Sequence, residues 1–272
     1  MTEKIKLIFV GDVVGNPGMN ILEQELPNLI NKYQANFIVV NGENADQGKG
    51  LNEDLTKRIF DLGTDIITTG NHIWENWKSK PLLATNDKII RPSNYPPGNV
   101  GKGFKILQSK NNFAVAVIQI QGRSLMQAID CPFRGIDNVL KFIGNQANII
   151  IVDFHAETSA EKIAMAWHLD GRVSALLGTH THIQTADACI FPKGMAYITD
   201  VGMTGPYDSV VGMRKDIALK RQILQTAHKY EVAVDDPKIS AVYIEIEANT
   251  GQAMRIEPII LPKFTKNIFD EL

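Results

Sequence analysis

Short apolar runs rich in β-branched residues alternate along the chain with stretches in which apolar positions recur every three or four residues. The short runs are typical of buried strands, and the periodic stretches are typical of helices with one buried face. Near the N-terminus they predict strands at residues 5–10, 37–40 and 65–69, separated by helices at residues 19–33 and 54–62. This β-α-β-α-β order favours a buried parallel sheet with helices packed on it.

The alternation is interrupted at residues 80–104, where prolines and glycines replace the apolar periodicity. Long loops in compact domains are often functional, so we expect this segment to border the functional site. The pattern then predicts further elements, with strands at 104–107, 113–120, 149–154, 173–177, 241–247 and 254–261, and helices at 137–144, 160–168 and 214–229. Since no repeat or linker divides the chain, we predict one domain over residues 1–272, with a loop-rich insertion at 80–104.

Composition and charge narrow the possible partners. The 28 basic residues nearly balance the 30 acidic ones, which argues against a surface for stable nucleic-acid binding or a polybasic membrane patch. Two cysteines, Cys131 and Cys189, argue against a disulfide framework and a thiolate zinc site. No apolar stretch approaches the roughly 18 residues of a membrane-spanning helix. We expect a soluble, cytoplasmic protein with a small-molecule ligand, and a homo-oligomer stays possible.

The most informative chemistry lies in the run GTHTH at residues 178–182, directly after an apolar strand pattern. In an extended chain, side chains two positions apart point to the same side, so His180 and His182 could reach one point. Ligand-type residues also follow four other predicted strands: Asp12, Glu43 with Asn44, Asn71 with His72, and His155. Because the carboxyl ends of parallel strands meet at one edge of a sheet, we expect these loops to converge on a metal site.

The donor set mixes carboxylate, amide oxygen and imidazole, which suits iron, manganese or zinc better than magnesium or calcium. Taken singly, each residue has another explanation. Asp12 or Asn44 could cap a helix or shape a turn, and His155 could be a hydrogen-bonded core histidine. Glu43 is harder to explain in this way, because a carboxylate after a buried strand needs a partner. The joint occurrence at five strand ends favours metal binding.

These motifs resemble, in their order, the calcineurin-like metallophosphoesterase superfamily and in particular its YmdB-like branch of bacterial phosphodiesterases. The motifs that carry the resemblance are GDVVG (11–15), NGEN (41–44), GNH (70–72), DFHAE (153–157) and GTHTH (178–182). The resemblance covers essentially the whole chain. It implies an α/β fold in which central β-sheets are flanked by helices, a four-layer α/β/β/α sandwich.

The resemblance also implies a dinuclear centre, with iron at both positions and manganese as the alternative. One ion would be bound by Asp12, Glu43, Asn44 and His182, and the other by Glu43, Asn71, His155 and His180, so that Glu43 bridges. By the same resemblance, metal-activated hydroxide attacks the phosphorus atom in line. His72 would be the catalytic general acid that protonates the leaving alkoxide. The implied substrates are 2′,3′-cyclic nucleotides.

The chain departs from the broader superfamily at three positions. Val14 stands where the D-x-H motif has its histidine, and Glu43 replaces the usual bridging aspartate. Both departures suit the YmdB-like branch, in which Asn44 takes the place of the missing histidine. Ile73 stands where an acidic residue commonly follows GNH, which leaves the orienting partner of His72 unidentified.

Substrate contacts and the activity itself leave alternatives open. Arg91 could hold a phosphate, although a solvated surface arginine is equally consistent with the sequence. Thr204 and Gly205, in a glycine-rich segment, could border the site. The same ligands would also serve a regulatory metalloprotein that binds a nucleotide or a protein partner with little turnover, or a hydrolase of other phosphoesters. The residues themselves predict metal-dependent phosphoester hydrolysis, and cyclic nucleotides follow from the resemblance alone.

Overall fold

Strands make up two six-stranded sheets in a computed structural model, which describes residues 3–264. In chain order the strands are β1 (Lys4–Val10), β2 (Phe37–Asn41), β3 (Ile66–Thr68), β4 (Phe104–Gln108), β5 (Ala114–Gln121), β6 (Ile149–His155), β7 (Ala175–Thr179), β8 (Cys189–Ile190), β9 (Ala196–Ile198), β10 (Gly205–Pro206), β11 (Pro237–Glu247) and β12 (Ala253–Leu261). The helices are α1 (Gly15–Tyr33), α2 (Glu53–Asp61), α3 (Ser79–Thr85), α4 (Pro132–Ile143), α5 (Ser159–Leu169) and α6 (Lys215–Leu224), and a 3₁₀-helix spans Asn71–Trp74.

The first sheet has the strand order β10-β11-β1-β2-β3, and β12 pairs with β11. Strands β1, β2 and β3 are parallel, as the β-α-β-α-β pattern predicts, with Ile8 opposite Ile38 and Val40 opposite Ile67. Strand β11 runs antiparallel to β1 and joins the C-terminal part of the chain to this sheet. The carboxyl ends of the three parallel strands therefore meet at one edge.

The second sheet has the order β4-β5-β6-β7-β9-β8. Strands β5, β6, β7 and β9 are parallel, and the antiparallel strands β4 and β8 form its edges. Every residue of β6 is buried, which explains its nearly continuous apolar sequence. The polar exceptions in β6 are Asp153 and His155, and both belong to the site described below.

Three apolar cores hold four layers together. Neighbouring residues of β1 point to opposite faces, so Ile8 joins the core under α1 and α2, where Leu22 lies, and Phe9 joins the core between the sheets. That middle core includes Ile151 from the second sheet. The third core lies between the second sheet and the helices α4 and α5, and Met165 belongs to it. The predicted α/β/β/α sandwich is confirmed.

The predicted strands and long helices are present with ends that differ by a few residues, but two segments need correction. Residues 80–104 were predicted as loop, yet α3 lies at their start; Pro81 fits there because the first turn of a helix needs no bond from its N–H. The helix predicted at 214–229 ends at Leu224, where Gln225 adopts the left-handed conformation with φ of 53°. The short strands β8, β9 and β10 were not predicted, because two or three residues leave no periodic pattern.

Two further predictions, the single domain and the cytoplasmic location, stay predictions. The single domain over residues 1–272 includes residues 1–2 and 265–272, which lie outside the described residues, and the cytoplasmic location has no structural counterpart. Within residues 3–264, no helix combines the length and apolar character needed to cross a membrane.

Candidate metal centre

The ligand-bearing loops converge, but they come from both sheets rather than from one edge of a single sheet. Glu43 and Asn71 follow strands of the first sheet, whereas His155 ends β6 and His180 follows β7 of the second. His155 Nε2 lies 3.0 Å from Glu43 Oε1 and 3.1 Å from Asn71 Oδ1. The same nitrogen lies 2.9 Å from His180 Nδ1. The site therefore lies where the carboxyl edges of the two sheets meet.

Three of these residues form a cluster that can hold a metal ion. Glu43, His155 and His180 each offer one ligand atom, and these atoms lie within 4.8 Å of one another. Glu43 and His155 are fully buried. Gly70 permits this close packing, because a Cβ atom at that position would overlap the Glu43 carboxylate and the His155 ring. One carboxylate and two imidazoles are a donor set typical of transition-metal sites.

Partner residues fix which nitrogen of His155 is free. The Thr179 hydroxyl donates a 2.7 Å hydrogen bond to Asp153 Oδ1. Its oxygen is therefore an acceptor for the Nδ1–H of His155, which lies 2.9 Å away. With Nδ1 used as a donor, Nε2 presents its lone pair to the Glu43 cluster. The hydrogen bonds that link His155 through Thr179 to Asp153 thus leave Nε2 of His155 free to bind a cation.

In His180 the roles of the two ring nitrogens are reversed relative to His155. Nε2 of His180 lies 3.2 Å from Glu157 Oε2, a charge contact that favours the tautomer with the hydrogen on Nε2 and the free lone pair on Nδ1. Nδ1 of His180 and Nε2 of His155 are 2.9 Å apart. Two lone pairs cannot face each other at that distance without a cation between them. Either a proton or a metal ion can satisfy this requirement.

Without metal, a proton fills this role. Burial alone would lower the pKa of His155, but the charges of Glu43, Asp12 and Asp153 outweigh burial and raise that pKa to about 9. Burial, followed by the positive charge of His155, lowers the pKa of His180 to about 3. Burial would raise the pKa of Glu43, but the charge of His155 holds it at about 2. The cluster therefore has strong affinity for positive charge, and its donors fit a metal ion.

Three buried oxygen atoms nearby also lack hydrogen-bond partners among the described residues: Asp12 Oδ1, Glu43 Oε1 and Asn44 Oδ1. The 3.0 Å contact between Glu43 Oε1 and His155 Nε2 is a charge contact without hydrogen-bond geometry. Asn44 Nδ2 donates to Gly48 O at 2.9 Å, which fixes the amide so that Oδ1 stays unbonded. Buried oxygens without donors are costly, and bound cations would satisfy them.

His182 lies on the wall of a cavity of about 340 Å³, which Asn44 and His180 also line. Neither His182 nor Asp12 is part of the group formed by Glu43, His155 and His180. Nδ1 of His182 donates to Val211 O at 2.9 Å, so Nε2 is free to bind. The expectation that an extended strand aims both histidines is wrong. Strand β7 ends at Thr179, and His180 and His182 adopt φ values of 102° and 67°, in the left-handed region. The rings reach the site through a strained turn.

His72 lies at the same cavity, and the structure identifies its partner. The backbone N–H of His72 donates to Glu43 Oε2 at 3.2 Å. Its Nδ1 lies 2.7 Å from Glu75 Oε1, and Glu75 also forms an ion pair with Lys49. Glu75 is thus the acidic residue that the motif comparison missed. It follows Ile73 by two positions, and the 3₁₀-helix Asn71–Trp74 brings it back to His72.

A sequence model described as "YmdB-like protein" matches residues 8–259. The chain belongs to the YmdB-like family. It is 41% identical over 257 residues to a 2′,3′-cyclic-nucleotide 2′-phosphodiesterase of Bacillus subtilis, with 94% of this chain and 97% of the relative covered. A crystal structure of a hypothetical protein from Thermus thermophilus matches with a TM-score of 0.88 at 36% identity, covering 94% of this chain and 98% of that one. A structure described as a novel phosphatase from Mycoplasma pneumoniae matches with a TM-score of 0.91 at 33% identity, covering 96% and 94%.

In this YmdB-like protein, Arg91 does not join the ligand cluster. Its guanidinium donates to backbone carbonyls of its own loop, at Pro92 O (2.8 Å) and Val100 O (3.3 Å). Arg91 lines a separate cavity, which Asn94 and Asp130 also line. The structure therefore shows a role for Arg91 in shaping the proline-rich segment.

Thr204 and Gly205 are not among the residues that line the cavity at the candidate metal centre. Both residues are buried. The N–H of Thr204 donates to Asp12 O at 2.9 Å, and its hydroxyl donates to Ser240 O at 3.1 Å. Gly205 pairs with Lys238 in the first sheet. These residues support the loop that carries Asp12.

A buried ion pair under the GTHTH loop was not predicted. Lys162 Nζ donates to Asp200 Oδ2 at 2.7 Å and to Thr179 O at 2.8 Å, and both charged side chains are almost completely buried. Asp200 Oδ2 also accepts the N–H of Thr181 at 3.0 Å. The pair thus holds the backbone on each side of His180. Asp200 follows a short strand, which is the same signal that identified the ligands, but β9 has too few residues to be recognised.

Proposed function

We propose that the chain is a dinuclear metal-dependent phosphodiesterase that hydrolyses 2′,3′-cyclic nucleotides. The observation that carries this proposal is the pair of lone-pair nitrogens on His155 and His180, 2.9 Å apart beside the Glu43 carboxylate. Such an arrangement requires a cation, and it lies next to a cavity large enough for a small ligand.

The chain is a phosphoric ester hydrolase, as the family and its named relatives establish. The narrower choice of substrate draws on the Bacillus subtilis relative, whose name specifies 2′,3′-cyclic nucleotides. Its similarity extends over 94% of this chain. The mixed donor set of oxygen and imidazole nitrogen suits iron, manganese or zinc. The choice of iron, with manganese as the alternative, rests on the family resemblance.

The proposed division of ligands follows the two groups of unsatisfied donors. One ion would be held by Asp12, Glu43, Asn44 and His182, and the other by Glu43, Asn71, His155 and His180. The orphaned oxygens of Asp12 and Asn44 support the first site. The fixed tautomer of His155 and its 2.9 Å contact with His180 Nδ1 support the second. When bound, the ions supply positive charge that polarises the phosphate and activates water.

His72 is the proposed general acid. Its Nδ1–H can donate to Glu75, which leaves Nε2 to carry a proton to the leaving alkoxide. The carboxylate of Glu75 fixes the orientation of the ring. His72 lines the cavity that Asn44, His180 and His182 also line, which places the proposed acid beside the proposed metal ligands.

Substrate profiling of the manganese-loaded protein tests the proposal. We expect hydrolysis of 2′,3′-cyclic AMP and of bis-p-nitrophenyl phosphate, little hydrolysis of adenosine 3′-monophosphate, and loss of all activity after chelation. The matched control is His155→Ala, which should be inactive with every substrate. Hydrolysis of the monoester alone would instead identify a phosphatase, and nucleotide binding without turnover would identify a regulatory metalloprotein.

A further inference from the structure

The cavity beside the metal ligands contains a second group of residues that neither the ligand set nor the acid explains. Its lining includes Gly48, Lys49, Val211 and Tyr230. Gly48 and Lys49 follow the ligand Asn44 in the same loop, and Val211 accepts the hydrogen bond from His182. Tyr230 comes from the segment after α6. These residues therefore line the same cavity as the proposed ligands Asn44, His180 and His182.

The ring of Tyr230 is set directly against the backbone of the Asn44 loop. Gly48 has φ of 86°, and a Cβ atom at this position would lie 2.7 Å from Tyr230 Cε1. Only glycine provides both this backbone conformation and the room for the ring. The hydroxyl end of Tyr230 lies beside Gly212, next to Val211. The ring is thus held between two loops that also carry or support metal ligands.

The charged residues of the cavity are already paired. Lys49 forms an ion pair with Glu75, and Glu157 lies 3.2 Å from His180 Nε2. Besides Gly48 and Thr181, the surface left for the part of a substrate beyond its phosphate is the ring of Tyr230 with the apolar side chain of Val211. An aromatic ring of this kind favours a flat, uncharged partner that can stack on it.

We propose that Tyr230 is the residue on which the nucleobase of the substrate stacks. This inference rests on the proposed phosphodiesterase function. Stacking depends on the aromatic face that every base possesses, so Tyr230 selects nucleotides over base-free diesters without distinguishing one base from another. The specificity of the site thus comes from the segment after α6, outside the ligand motifs.

The test compares Tyr230→Ala with Tyr230→Phe, which keeps the ring. For 2′,3′-cyclic AMP we expect Tyr230→Ala to raise KM about 10-fold or more with kcat nearly unchanged, and Tyr230→Phe to resemble the unaltered protein. Glycerol 1,2-cyclic phosphate has no base, so its kcat/KM should be the same in all three proteins. Trp77→Ala is the control for loss of an aromatic side chain, because Trp77 is 77% exposed and lies outside the cavity lining.

A binding measurement makes the test independent of turnover. By calorimetry on the manganese-loaded protein, we expect Tyr230→Ala to weaken binding of adenosine 3′-monophosphate about 10-fold. Unchanged binding and KM, or equal losses with the base-free diester, would overturn the role of Tyr230. Continued hydrolysis of glycerol 1,2-cyclic phosphate in that case would leave the phosphodiesterase proposal intact. Absence of hydrolysis of both diesters by the unaltered protein would refute that proposal instead.

Discussion

A histidine binds a metal ion through one ring nitrogen, so the partner of its other nitrogen decides whether it is ready to bind. Thr179 is that partner for His155, and the carbonyl of Val211 is that partner for His182. The histidines themselves were predictable, because ligand-type residues after strand ends form a readable motif. Their partners were not, because they lie 24 and 29 residues away along the chain and meet the rings only in the folded protein.

Thr179→Val removes the acceptor for the Nδ1–H of His155 while it keeps the shape of the side chain. The ring then loses its fixed tautomer, and we expect metal affinity to fall about 10- to 100-fold. Metal titration with a competing chelator measures this change. Thr181→Val is a matched control in the same loop, because the Thr181 hydroxyl has no hydrogen bond within residues 3–264 and its substitution should leave affinity nearly unchanged. Equal affinities of the two variants would contradict the tautomer argument.

Glu75→Gln tests the orientation of His72. The amide is a weaker acceptor for the Nδ1–H than the carboxylate and holds the ring less firmly, so we expect kcat to fall about 10-fold with metal content unchanged. His72→Ala should lower kcat by about 10²- to 10⁴-fold. The double variant should be no slower than His72→Ala, because Glu75 acts through that ring. Additive losses in steady-state kinetics would show that Glu75 acts on the reaction separately.

Among the secondary-structure elements, the ends of the predicted strands indicate the proposed ligands, whereas the turn conformations cannot be predicted from the sequence. The apolar runs located β1, β2, β3, β6 and β7, and the residues that follow them are the proposed ligands. The sequence predicts an extended backbone at His180 and His182, because the motif GTHTH contains no residue pattern typical of left-handed backbone at two non-glycine positions. The structure shows left-handed backbone there. Such strain persists only where surrounding contacts enforce it. Here the contacts come from the ion pair of Lys162 and Asp200.

Lys162→Met tests this support for the loop. The substitution leaves the buried carboxylate of Asp200 without its partner, and we expect the free energy of unfolding to fall by about 3–5 kcal/mol. Urea denaturation of the metal-free protein measures the loss. Lys57→Met, which breaks an exposed ion pair with Asp61 on α2, is the control and should have little effect. Similar stabilities of both variants would show that the buried pair is dispensable.

At the scale of the whole molecule, the site depends on how two sheets are packed together. Glu43 and Asn71 come from the first sheet and His155 and His180 from the second, and the core between the sheets fixes their relative position. The order of strands along the chain does not reveal which strands share a sheet. For that reason the residues alone predicted one sheet edge, whereas the family resemblance supplied the two-sheet sandwich that the structure confirms.

A ligand shared by both sheets stabilises the fold as a whole. With free manganese at about 100 times its dissociation constant, we expect the free energy of unfolding to rise by about 2.7 kcal/mol for each site filled, and the melting temperature to rise by several degrees. Thermal unfolding with manganese and with chelator measures the difference. His155→Ala should show a smaller rise. A melting temperature that does not respond to metal would contradict a centre built across the two sheets.

In the proposed centre, two metal ions share Glu43, and His180 and His182 bind different ions. Elemental analysis of the reconstituted protein and of the His180→Ala and His182→Ala variants tests it most directly. We expect two metal equivalents in the unaltered protein and about one in each variant, because each substitution removes a ligand from one site only. A single equivalent in the unaltered protein, or complete loss of metal in both variants, would contradict the dinuclear centre.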